Sequence, residues 1–228
     1  MKEIKIVGRY GEAKIFAVDD EKIAVDEYAK AQIKMLCDNE VSKNAKIRVM
    51  PDVHPAKVST VGLTMTIGEK ILRKGAISAK SGEFVIISVN MRDGVIFGRG
   101  KGNLEWNKSA PHGAGRILKR TEVKNQHTLS EFKMAMKEIY STSITKDTLD
   151  ESPFAYRKIA DILPAIAESV EVEKILADMA IALEKDALDK YFQGDMSGFL
   201  DLWSKKILHI LMLIVLFEQI LMKKLKNF

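Results

Sequence analysis

Residues 107–116 read Asn-Lys-Ser-Ala-Pro-His-Gly-Ala-Gly-Arg, and a further arginine stands at position 120. That grouping suits attack on a phosphate. His112 offers a ring nitrogen as nucleophile, because neutral imidazole is nucleophilic near pH 7 and its phosphoramidate is a good donor. Gly113, Ala114 and Gly115 add little bulk, so their backbone N–H groups can approach phosphate oxygens closely. Arg116 and Arg120 lie four residues apart; a helix beginning after Gly115 puts both on one face, where they meet two phosphates of a nucleic acid. Taken singly, each residue also has an ordinary explanation: a loop histidine bonded to backbone, solvated arginines, a turn-forming aspartate at position 52.

These residues need elements to hold them. Residues 3–18 read as a short hairpin with Gly8 and Gly11 at its turn. Residues 26–38 carry apolar side chains at helical spacing through Ala29, Ile33, Leu36 and Cys37. Residues 46–50 form a strand that stops at Pro51, which places Asp52 and His54 on the loop leaving it, a frequent position for site residues. Residues 71–97 are the strongest β region, with strands over 84–90 and 95–97 joined by a turn at Arg92-Asp-Gly94. Thr128 or Ser130 caps a helix running to about Ile139, and Ser152-Pro opens another whose apolar face is Ile159, Ile162, Leu163 and Ile166.

With 228 residues, 46% hydrophobic and 29% charged, the chain is long enough for one domain and an appendage. A net charge of +5 and a pI near 9.1 are compatible with an anionic partner, weakly so for this length. Cys37 is the single cysteine, which excludes an internal disulfide and a multi-cysteine zinc site and points to a reducing compartment, the cytoplasm. The first residues lack the apolar core of a signal peptide. Residues 207–222 are apolar but interrupted by His209, Glu218 and Gln219, and fall short of the roughly 20 residues of a bilayer span, so no membrane partner is expected.

The motifs follow one order: Val49-Met-Pro-Asp-Val-His54, Arg73-Lys-Gly-Ala-Ile-Ser-Ala-Lys, Asn90-Met-Arg-Asp-Gly, Arg99-Gly-Lys-Gly-Asn, the His112 stretch, Asp150-Glu-Ser-Pro-Phe-Ala-Tyr-Arg and Ile159-Ala-Asp-Ile-Leu-Pro. In that order they resemble the RtcB family of RNA ligases over roughly residues 10–70 and 71–175. The resemblance implies an α+β fold, a partial RtcB-like domain over residues 1–175 with a mixed β-sheet flanked by helices. It also implies a GTP-dependent ligase that joins an RNA 3′-phosphate or 2′,3′-cyclic phosphate to a 5′-hydroxyl, in RNA repair and tRNA splicing, through a histidine–GMP intermediate on His112. Gly113, Ala114, Gly115 and Asn90 then contact GTP or GMP. Arg116, Arg120 and Asp52 bind RNA phosphate or support the site. Ser88 stands where the family usually has proline.

The family's manganese is expected from the resemblance, but its ligands are not found. Near Lys70 the sequence passes directly from Thr64-Met-Thr-Ile to Ile71-Leu-Arg-Lys, where the family carries a long segment with a Gly-Val-Asp-x-Gly-Cys-Gly motif and several histidines. No metal ligand is assigned here, and losing the cage removes transition-state charge stabilisation worth several kcal/mol, which predicts weak activity or none. Two other readings stand beside the ligase: a non-catalytic nucleotide- or RNA-binding remnant, and the product of a gene fragment. Exposure of apolar surface by the missing segment predicts marginal stability or self-association. Residues 176–228 lack the family's terminal Lys-Gly and read as an unrelated helical tail, whose stretch from Ala182 resembles the start of a SnoaL-like domain.

Overall fold

The computed structural model describes residues 2–18, 24–139, 141 and 143–176. One compact unit comprises Met1–Lys137 and Ser141–Ala177 and a second Glu138–Tyr140 with Asp178–Phe228; the tail expected to be helical and SnoaL-like lies outside the described residues except for Leu176, which ends a strand and not a helix.

The first sheet is mixed. β1 (Lys2–Val7) and β2 (Glu12–Ala17) form the expected hairpin, β2 runs parallel to β3 (Ile47–His54), and β4 (Val61–Ile67) and β5 (Lys70–Lys74) continue antiparallel in the order β1-β2-β3-β4-β5. Helix α1 (Glu27–Cys37) returns the chain between β2 and β3. Asp26 caps it, accepting from the Tyr28 and Ala29 N–H groups, and the spacing of Ala29, Ile33 and Cys37 turns those three onto Ile15, Ile47 and Val49 of the sheet. The Cys37 thiol is buried, which pushes its pKa up to about 11.

β3 does not stop at Pro51. It runs to His54, and Asp52 and His54 lie on the strand itself rather than on a loop after it. The proline is tolerated because the ladder to β4 lapses there: pairing covers Ile47 to Val49 and resumes with His54 opposite Val61. The interruption releases the Asp52 side chain from the sheet pattern.

β6 (Ala76–Ser78) pairs with β9 (Ser109–Pro111), and β7 (Phe84–Asn90) and β8 (Gly94–Gly100) form the expected hairpin within a separate antiparallel sheet of order β10-β8-β7, closed by β10 (Val170–Leu176). β7 alternates strictly, with Val85, Ile87 and Val89 buried. Those side chains pack with Ile162 and Ile166 of α4 (Ile159–Ile166), and Ala114 belongs to the same core. Gly98 permits the close approach of β10, since a Cβ there would collide with the Val170 side chain and the Glu171 backbone.

α2 (Arg120–Gln126) and α3 (Leu129–Ala135) complete the described helices. Thr128 caps α3 with Glu131 in a reciprocal capping box, but α3 ends at Ala135, four residues before the expected Ile139. Ser152-Pro opens a short 3-10 turn, Pro153–Ala155, and the helix proper begins at Ile159, because Tyr156 and Lys158 are extended.

Candidate active site

The loop around His112 is held on both sides by backbone bonds. On one side it lies parallel to β7: the Ser88 N–H donates to the His112 carbonyl at 3.3 Å, and the Ala114 N–H donates to the Ser88 carbonyl at 3.0 Å. A proline at position 88 has no N–H for the first of these bonds. On the other side the Arg157 N–H donates to the Gly115 carbonyl at 3.1 Å, and the Ile117 N–H to the Ala155 carbonyl at 2.8 Å. Gly115 has φ +78°, and a Cβ there would lie 2.7 Å from the Asp52 Cα and collide with the Arg157 guanidinium. The glycine is required both by its backbone angle and by the lack of room.

This arrangement brings His112 to Asp52. The His112 Nδ1 lies 2.8 Å from Asp52 Oδ2 and 2.9 Å from the Gly75 carbonyl, and the His112 backbone N–H donates to the same Oδ2 at 3.2 Å. A carbonyl oxygen only accepts, so Nδ1 carries the proton and the neutral ring has its lone pair on Nε2. The Asp52 carboxylate is fully buried while the His112 side chain is half exposed. Asp52 raises the His112 pKa above the ordinary 6.5, burial opposes this, and the Gly75 carbonyl adds to the rise. The result is an oriented imidazole with one free nitrogen, the third-group logic of an activated nucleophile.

Asn90, Gly113, Ala114, Gly115, Arg116 and Arg120 all line one hollow of about 360 Å³ together with His112. Within it the roles differ. The Asn90 amide is engaged by its own hairpin turn, donating to Asp93 Oδ2 at 2.9 Å and accepting from the Arg92 and Asp93 N–H groups. Arg116 and Arg120 do not share a helix face, because Arg116 is extended against Tyr156 and α2 starts at Arg120. They converge nonetheless on Glu151. Arg116 Nη1 lies 3.1 Å from Glu151 Oε2 and 3.1 Å from the Tyr156 hydroxyl, while Arg120 pairs with Glu151 and, at 2.6 Å, with Asp150. The Tyr156 hydroxyl also donates to Glu151, and burial together with that bond pushes its pKa up to about 12.

Four participants carried no assignment in the sequence: Gly75, Glu151, Tyr156 and Arg157. Gly75 acts through its carbonyl, which no side-chain pattern reveals. The other three sit in the Asp150-to-Arg157 motif, whose position in the chain order marked it without indicating that it folds against residues 113–117. Arg157 is buried beside Asp52; burial pulls its pKa below the ordinary guanidinium value, and Asp52 acts in the opposite direction. His127 has a structural role, stacked on Phe154 with centroids 4.2 Å apart.

The family model for the tRNA-splicing ligase RtcB matches residues 69–183, which include the whole His112 loop, both arginines and the Asp150-to-Arg157 motif. The chain belongs to the RtcB family. This RtcB-family chain is 36% identical over 107 residues to RNA-splicing ligase RtcB1 of Escherichia coli strain ATCC 25922 and to RNA-splicing ligase RtcB of Escherichia coli K12. The alignments cover 46% of this chain and 26% of each relative, so the chain spans about a quarter of the length of the curated relatives it matches. The family match begins at residue 69, and Asp52 lies before it.

The described residues do not fit a manganese site. No group of three or more His, Cys, Asp or Glu side chains among them could hold a metal ion, and Cys37 is buried under the first sheet. Asp52 Oδ1 has no partner but is wholly buried, and among the described residues it belongs to no cluster of three or more candidate ligands. Among the described residues no helix is long and apolar enough to cross a membrane.

Proposed function

We propose that this chain is an RtcB-type RNA ligase in ancestry and active-site design, with His112 Nε2 as the guanylyl acceptor. The observation that carries the reading is the buried Asp52 carboxylate on His112 Nδ1, which orients the ring and leaves Nε2 free, in a residue that lines a nucleotide-sized hollow. Nε2 attacks the α-phosphorus of GTP; an N–P bond forms, the bond to the pyrophosphate oxygen breaks, and pyrophosphate leaves. The Nδ1 proton stays between Asp52 and Gly75, which disperses the charge that builds on the ring. GMP then passes to an RNA 3′-phosphate, and a 5′-hydroxyl displaces it to form the phosphodiester. The partner is therefore RNA with 3′-phosphate and 5′-hydroxyl ends, and the compartment is the cytoplasm.

No step is assigned to manganese, and the rate is proposed to be low. Without a metal to neutralise the triphosphate, several kcal/mol of transition-state stabilisation are missing, hence orders of magnitude in rate. Incubating full-length protein with GTP and a pair of RNAs bearing 3′-phosphate and 5′-hydroxyl ends tests the reading. Slow joining that needs both GTP and His112 supports it; GTP-independent joining sinks it.

A second reading, a binding remnant without transfer chemistry, draws support from Glu151. That carboxylate occupies both arginines assigned to RNA phosphate. Nucleotide and RNA affinity without label on His112 is its signature. Self-association remains part of either reading, since Phe84 and Ile86 on β7 are 58% and 45% exposed; sedimentation equilibrium tests it.

A further inference from the structure

The hollow that holds His112 is not isolated. A second one, of about 700 Å³, runs along residues 117–122 past Lys119 and Glu122 towards Asp26, and His54, Arg116 and Arg120 line both. The smaller hollow lies near the lower end of the roughly 300–1,000 Å³ range of small-molecule sites, enough for one nucleotide and not for a strand. Any strand whose terminal phosphate reaches His112 must leave through an adjoining space. The larger hollow supplies one, and its rim carries cations: Lys119 is 69% exposed and Arg120 63% exposed. An exposed arginine can exchange a carboxylate for a phosphate, whereas Arg116, 15% exposed, is held as a fixed anchor.

His54 has a defined chemical state at the shared wall. Its Nδ1 lies 2.8 Å from the Asp52 carbonyl, which only accepts, so Nδ1 carries the proton. Burial, the largest influence, holds its pKa below the ordinary 6.5, and the ring is neutral at pH 7. Nε2, without a partner among the described residues, is therefore a hydrogen-bond acceptor. A ribonucleotide 3′-phosphate held by Arg116 and Arg120 brings one hydroxyl necessarily with it, the vicinal 2′-hydroxyl.

We propose that the larger hollow is the track of the RNA strand that ends in a 3′-phosphate, and that His54 Nε2 accepts a hydrogen bond from the 2′-hydroxyl of its terminal ribose. His54 is then the residue that selects a ribonucleotide end. The inference rests on the ligase reading above for the identity of the strand.

Calorimetric titration of the full chain tests it, with uridine 3′-phosphate, the 3′-phosphorylated di- and trinucleotides of uridine, and the trinucleotide with a 2′-deoxy terminal residue. Affinity rises from mono- to trinucleotide, and Lys119→Glu, an exposed change, removes that rise without weakening the mononucleotide. Wild type prefers the ribo- over the deoxy-ended trinucleotide by about five-fold, the worth of one hydrogen bond, and His54→Phe abolishes the preference. The inference is overturned if the mononucleotide does not bind, if length adds nothing, if Lys119→Glu leaves the trinucleotide unaffected, or if wild type binds both ends equally. The ribo/deoxy comparison in wild type needs no variant, so a fold defect in His54→Phe does not obscure the result. GTP labelling of His112 needs no RNA: label without length dependence sinks this inference alone, and length dependence without label sinks the ligase reading alone.

Discussion

Asp52, fully buried on β3, holds His112 from 60 residues upstream through a 2.8 Å contact between its Oδ2 and the ring Nδ1. The contact depends on the lapse in the β3–β4 ladder at Pro51, which frees the aspartate, and on Gly115, whose bare backbone lets residues 112–116 lie against the Asp52 main chain. Sheet irregularity, glycine and the His112 imidazole form one device.

Asp52→Asn tests the orienting role. The amide keeps the shape but loses the charge that fixes the Nδ1–H tautomer. Guanylyl transfer to His112 should fall by about 100-fold or more, as expected when the orienting carboxylate of an imidazole is neutralised. Nitrogen-15 NMR of the histidines should show the His112 pKa moving down towards 6.5.

The pH dependence has a definite sign. In the proposed reaction the neutral ring attacks, and Asp52 raises its pKa, so labelling should increase as pH rises through a midpoint above 6.5 and should vanish in acid. In Asp52→Asn that limb moves to lower pH. Stability runs the other way: the imidazolium–carboxylate contact stabilises the fold fully below the unfolded-state value of about 6.5 and is lost as pH rises through the folded value. Rate and denaturation midpoint measured across pH 5–9 should therefore move in opposite directions.

Much of this was legible in the chain. The helical spacing of Ala29, Ile33 and Cys37, the cap at Thr128, the alternation of residues 84–90 and the Arg92-Asp-Gly94 turn announce their elements because each is a local signal. The membership of His112, residues 113–115, Arg116 and Arg120 in one hollow follows from motifs whose order alone carried the information. What was not legible is non-local. Pro51 signals a strand end by propensity, yet the strand continues because no N–H donor is needed at that position, where the ladder lapses; Glu151 between the two arginines depends on how residues 149–157 fold back. The Gly75 carbonyl on His112 leaves no trace in side-chain identity.

Gly115→Ala should show how tightly the loop is seated. The substitution meets both a positive φ and the Arg157 guanidinium, so equilibrium urea unfolding should register a loss of about 1–3 kcal/mol. A change within 0.5 kcal/mol would mean that the 112–117 loop is not clamped between β7 and residues 155–157.

Glu151→Gln should strengthen RNA binding. It removes a carboxylate that competes with phosphate for Arg116 and Arg120, so the affinity for a 3′-phosphorylated oligoribonucleotide should rise several-fold and the salt slope should steepen by about one counterion. Weaker binding by the variant would show that Glu151 places the arginines for the strand instead of competing with it.

Transfer of the guanylyl group to His112 Nε2 can be read by incubating full-length protein with GTP labelled at the α-phosphate, separating under denaturing conditions, and running His112→Ala beside it. Acid-labile label should appear slowly on the wild-type chain and not on the variant. No label on protein shown to be folded, or equal label on His112→Ala, would contradict that transfer.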